Sequence, residues 1–164
     1  MKKYRLWLLF MFLFSLTACP VGLDYPLGEK ENEEFDKQLI GTWKCTNESA
    51  EVIKVEIKAN GENGATILVM ERGELYALET DKFSGWCTTL ENRKFVFFKP
   101  EGEEKYFHYE YLFSDKNSFS SNDVSLLVGG VDAVTSTTAL RNEVSASMQE
   151  ADWGTEKLEW VRIN

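Results

Sequence analysis

The chain of 164 residues is poor in the groups on which most enzyme chemistry depends. It holds one histidine, His108, and three cysteines, Cys19, Cys45 and Cys87, with no Cys-x-x-Cys pair and no histidine cluster beside them. A zinc site draws on three or four such ligands, so no metal and no cofactor is expected. There is no Gly-x-Ser-x-Gly elbow for a serine triad, no P-loop and no dinucleotide-binding glycine fingerprint. No internal repeat or low-complexity tract marks a solenoid or a disordered array. Positive charge is also scarce, with 18 Lys and Arg against 27 Asp and Glu. An acidic surface of this kind repels nucleic acid, which is therefore not an expected partner. What survives of enzyme chemistry is a hydrolase built on His108, with Cys87 as a thiol nucleophile, or paired carboxylates of unknown spacing.

Only one long apolar run is present, and its flanks are informative. Lys2, Lys3 and Arg5 precede an unbroken apolar stretch from Leu6 to Phe14, and Leu16-Thr17-Ala18-Cys19 follows. The run is shorter than the roughly 20 residues of a spanning helix and has the three regions of a secretory signal. The terminal Leu-Thr-Ala-Cys resembles the lipobox of bacterial lipoproteins. That resemblance implies removal of residues 1–18, lipidation of Cys19 (palmitate among its acyl chains) and firm attachment to a membrane of the bacterial envelope. Pro20 and Val21 follow Cys19 in place of an inner-membrane retention aspartate, which points to the outer membrane, facing the periplasm or the cell surface. The first 18 residues carry three of the basic residues and no acidic one, so the remaining 146 have a net charge of −12. That length makes one domain with a real core.

Residues 19–37 hold two prolines, two glycines and the run Glu29-Lys30-Glu31-Asn32-Glu33-Glu34. They read as a lipidated N-terminus and solvated linker ahead of a domain spanning 38–164. With Cys19 lipidated, Cys45 and Cys87 form the candidate disulfide of an oxidising compartment, worth about 4 kcal/mol by loop closure.

From Leu39 to about Val128 the pattern is that of short strands. Ile53, Val55, Ile57 and Ala59 alternate with Val52, Lys54, Glu56 and Lys58, and Asn60-Gly61-Glu62-Asn63-Gly64 supplies a turn. Further strands are expected at Ala65–Met70, Leu75–Leu78, Phe83–Leu90, Phe95–Lys99 and Tyr106–Phe113, with a break at Glu91-Asn92-Arg93. Between Thr135 and Met148 the period changes. Leu140, Val144 and Met148 fall on one helical face, with Ser136 or Thr138 as the cap. Leu158, Trp160 and Arg162 alternate in a last strand. The fold class is mainly β: a small antiparallel barrel of about eight strands with one amphipathic helix before the last strand.

Leu39-Ile40-Gly41-Thr42-Trp43 opens the first strand with a Gly-x-Trp that resembles the signature of the lipocalins and related calycin barrels. The resemblance implies that Trp43 closes the bottom of the barrel and that Arg162, near the end of the last strand, packs across it as a cation–π partner. The helix before the last strand departs from the usual lipocalin order, and the family's second turn motif is absent.

Phe107, Tyr109, Tyr111 and Phe113 share one face of a strand, with Tyr106, His108, Glu110 and Leu112 on the other. Small barrels fill or line their interiors with such aromatics. The first four, with Trp43, are the candidate ligand-binding residues for a small apolar or amphipathic molecule. His108 and Glu110 are expected on the solvated face. The alternative is a filled barrel that serves as a protein-interaction or assembly scaffold in the envelope.

Overall fold

The computed structural model describes residues 22–30, 32–73, 78–124, 127–154 and 157–163. The signal segment and Cys19 lie outside the described residues. Eight strands, β1 (Gly41–Cys45), β2 (Val52–Ala59), β3 (Ala65–Arg72), β4 (Leu78–Leu90), β5 (Arg93–Pro100), β6 (Phe107–Asp115), β7 (Ser118–Asp123) and β8 (Leu158–Arg162), follow one another around a closed antiparallel barrel. β8 returns to β1 through Trp43↔Arg162 and Cys45↔Trp160, so the sheet has no free edge. One α-helix is described, α1 (Thr137–Ser147), capped at Ala139 N by the Ser136 hydroxyl at 3.1 Å. A 3₁₀ turn over Val131–Ala133 precedes it. Among the described residues no helix is long and apolar enough to cross a membrane.

The turns follow from their residues. Gly61 takes φ +77° in the β2–β3 turn, which Asn60 N closes onto Gly64 O at 2.8 Å. Glu91 and Asn92 both adopt positive φ, the geometry a two-residue hairpin requires between Leu90 and Arg93. In β2 a register shift between Val52 and Lys54 places Val52, instead of Ile53, beside Val55 and Ile57 on the interior. The expected gap between Leu78 and Phe83 is absent. Glu79, Thr80, Asp81 and Lys82 are each paired with β3, and β4 runs on as one strand of 13 residues. The remainder of the Leu75–Leu78 segment, residues 75–77, lies outside the described residues.

The wall carries a core on each side. Inside lie Trp43, Val55, Ile57, Ile67, Val69, Phe119 and Trp160. Outside, Phe95 and Phe97 of β5 pack under Leu140, Val144 and Met148 of α1. The run Phe95-Val96-Phe97-Phe98 thus buries both faces, with Val96 and Phe98 turned inward.

The N-terminal segment corrects the expectation of a solvated linker. Leu23, Leu27 and Phe35 are all buried. Leu23 pairs with Tyr106 through two backbone hydrogen bonds of 2.9 and 2.8 Å, and Arg141 of α1 donates to Leu27 O at 2.9 Å. Glu33 accepts from the Thr88 hydroxyl and from Thr89 N. Gly28 lies so close to β4 that a Cβ would come within 2.6 Å of Thr88 Cβ, so only glycine fits without displacement. The described residues between Gly22 and Glu33 form a strap along the outer wall, and Phe35 then turns under the barrel into the inner core. The wall is apolar on its outer side and cannot face water, which is why a segment of charged and turn-forming residues is nevertheless docked.

Candidate functional site

The barrel has two unlike ends. The β2–β3, β4–β5 and β6–β7 turns share one end with the chain that leads into β1, and this end is closed. Trp43 is fully buried there, donates through Nε1 to Leu39 O at 2.7 Å and meets Phe119 edge-on at 4.7 Å between centroids. Arg162 Cζ lies 4.1 Å from the Trp43 ring centroid, and its guanidinium donates to Ile40 O at 2.7 Å and Gln38 O at 2.6 Å. The cation covers the indole while its donors fasten the residues leading into β1. Phe35 and Leu39 complete this floor.

Above the floor is a cavity of about 290 Å³. Val55, Ile57, Ile67, Val69, Val96 and Phe98 line its walls, while Glu71, Asp81 and Glu103 border it at the other end. That end carries the β1–β2, β3–β4 and β5–β6 connections and forms the mouth. Burial, with Asp81, Glu51 and Glu79 close by, raises the Glu71 carboxyl above the usual carboxylate range. Three carboxylates around a fourth make the mouth strongly negative.

Three of the expected ligand-binding aromatics, Phe107, Tyr109 and Tyr111, line this cavity. Trp43 and Phe113 do not. They pack against each other (6.0 Å between centroids) and against Phe119 in the floor, so their place is structural. Tyr109 stacks on Phe98 at 5.4 Å, and burial, then Asp123 and Glu71, push its hydroxyl above the ordinary tyrosine value. The Tyr111 hydroxyl is already committed, donating to Asp36 Oδ2 at 3.0 Å. Burial opposes the Asp36 charge, yet Lys94 Nζ at 2.7 Å, Gln38 N and Tyr111 together hold this carboxyl below its ordinary value. Leu39, Val52, Phe83, Leu158 and Trp160 also border the cavity without having been singled out. Their strand alternation was the available signal for the aliphatic ones.

Cys45 and Cys87 are free, which corrects the disulfide expectation. Both point inward, but they lie three strands apart, Cys45 closing β1 at the mouth end and Cys87 near the far end of β4. A bridge needs Cα atoms within about 7 Å. Burial pushes the Cys87 thiol up to about 11, far from a nucleophile's range.

His108 is 3 % exposed, not on a solvated face. It pairs with Phe97 on the outer wall, between the Phe97 and Tyr106 rings, with the Tyr25 backbone as the polar group beside it. Burial pulls its pKa down to about 4, so the ring is neutral. Cys87 belongs to the inner core and His108 to the outer, which separates the expected thiol–base pair by the wall itself. Glu110, its neighbour on that face, accepts from Arg93, Asn122 and Trp153 Nε1, the last at 2.8 Å. Both residues are covered because the strap and the α1 layer close over β6. Among the described residues no group of three His, Cys, Asp or Glu side chains is placed to hold a metal ion.

No family model, curated protein or solved structure matches this chain.

Proposed function

We propose that this protein is a lipid-anchored lipoprotein of the bacterial envelope, attached through Cys19, whose lipocalin-like barrel binds a small apolar or amphipathic ligand without catalysis. The observation that carries the reading is the cavity of about 290 Å³, apolar in its walls and closed below by Trp43 and Arg162. Its volume lies at the lower end of the range for small-molecule sites, enough for a compact ligand or part of a single acyl chain. The mouth carboxylates disfavour an anionic head and favour a neutral or cationic one. A barrel acting only as a filled scaffold has no use for an interior void, which costs stability at every methylene left unpacked. A void retained in an otherwise packed wall supports the binding reading over the scaffold.

The test is titration of residues 19–164, bearing Cys19→Ser to keep them unlipidated, with an environment-sensitive fluorescent amine carrying a short alkyl tail. Saturable enhancement at one equivalent is expected, displaced by unlabelled alkylamine. Val69→Phe, which projects a ring into the cavity, is expected to abolish it. Absence of saturable binding across neutral, cationic and anionic probes would return the barrel to a scaffold role.

A further inference from the structure

The strap fixes where the anchored chain leaves the barrel. Leu23 is bonded to Tyr106 in both directions, and Lys105 Nζ lies 2.6 Å from Asp24 Oδ1. Tyr106 and Lys105 belong to the β5–β6 connection, which also supplies Glu103 to the cavity mouth. Gly22 sits still closer to the opening. A Cβ placed on it would come within 2.9 Å of Lys105 Cβ and 3.4 Å of the Phe107 ring, and Phe107 lines the cavity. The first described residue therefore abuts the rim, at the end opposite the Trp43–Arg162 floor.

Only Pro20 and Val21 separate Gly22 from Cys19. Fully extended, that stretch of chain reaches roughly 11 Å. A solvated linker of 19 residues would let the barrel tumble freely, whereas docking of residues 22–36 removes most of that length. Leu78, 63 % exposed at the start of β4, stands at the same end as an apolar contact point.

We propose that the cavity mouth is held at the bilayer surface, so that the ligand is an amphiphile drawn from the membrane and not from bulk solution. The proposal rests on both parts of the function proposed above, the Cys19 anchor and the binding cavity. The closed floor then faces away from the lipid. A ligand enters tail first from the interface, with its head left among the mouth carboxylates.

The test uses the full lipidated protein in phosphatidylcholine vesicles that carry a nitroxide headgroup quencher. Fluorophores are placed on one introduced cysteine at a time, at the exposed positions Glu101→Cys, in the β5–β6 connection, or Glu62→Cys, at the closed end, in protein whose buried Cys45 and Cys87 are both replaced by Ala. Quenching several-fold stronger at position 101 is expected. Insertion of twenty Gly and Ser residues between Val21 and Gly22 is expected to abolish that difference. The same insertion is expected to slow, several-fold, the loading of a pyrene-labelled alkylamine supplied in the vesicles. Equal quenching at the two positions, or stronger quenching at 62, overturns the orientation. Protein that floats free of vesicles with unmodified Cys19 overturns the anchor and the proposal with it. Quenching at 101 without loading overturns membrane-derived ligand binding and the cavity reading together, leaving the anchor intact.

Discussion

The two faces of the β4–β6 wall are both apolar and are packed in opposite ways. On the outer face Phe95, Phe97, Leu140 and Val144 are fully buried between strand and helix with the strap beside them. On the inner face Val96, Phe98 and Tyr109 border empty space. A sequence that packs one side to completion leaves the other open, and the difference assigns stability to the outer layer and binding to the inner one. It also explains why helix and strap are needed. A hollow barrel forgoes the interior contacts that a solid one gains, and the outer core restores apolar burial elsewhere.

The largest effect expected of a single change falls on the outer face. Phe97→Ala should cost about 3–5 kcal/mol, read from the denaturation midpoint, because the ring is fully buried against Trp86 and Tyr106. A loss below about 1 kcal/mol would mean that the helix and strap contribute little.

Acid should loosen the same layer. The folded His108 value of about 4 lies below the usual 6.5, so the unfolded chain binds a proton that the folded chain refuses. Its contribution is full above pH 6.5, declines as the pH falls toward 4 and levels off below that, about 3 kcal/mol in all. His108→Phe should flatten the stability profile over that window, since it keeps the aromatic packing and removes the titration. An unchanged slope in that variant would place the acid sensitivity elsewhere.

A smaller effect is expected at the floor. Arg162→Ala removes the cation over Trp43 and the donors to Ile40 O and Gln38 O, at about 2 kcal/mol by thermal unfolding. The smallest belongs to the cavity. Val69→Phe should change stability by less than about 1 kcal/mol, because the added ring enters empty space and not a packed core. A loss of several kcal/mol there would show the interior to be as full as the exterior.

Much of this contrast was legible in the sequence, though not all. Leu140, Val144 and Met148 announced the helix and its buried face, and Trp43 with Arg162 marked the closed end. β7 was not, because Ser118–Asp123 is nearly all polar. Its Ser121, facing the interior, and Asn122, on the outer face, are buried by virtue of partners distant in sequence, Trp160 Nε1 at 2.9 Å and Glu110 at 3.2 Å. The strap was hidden for a related reason. Leu23, Leu27 and Phe35 are isolated apolar residues in a charged stretch; the outward face of β4–β6 buries the first two, and the barrel floor buries Phe35. The double apolar run Phe95-Val96-Phe97-Phe98 carried a hint, since a strand with a wet outer face has no need of Phe95 and Phe97. The cysteine pair misled because compartment and count say nothing of strand spacing around a barrel.

The contrast between a hollow inside and a packed outside is tested most directly by methyl NMR during titration with an alkylamine. Signals of Ile57, Ile67, Val69 and Val96 are predicted to shift saturably while those of Leu140 and Val144 stay in place. Shifts confined to Leu140 and Val144, or no saturable shift at the interior methyls, would contradict the account.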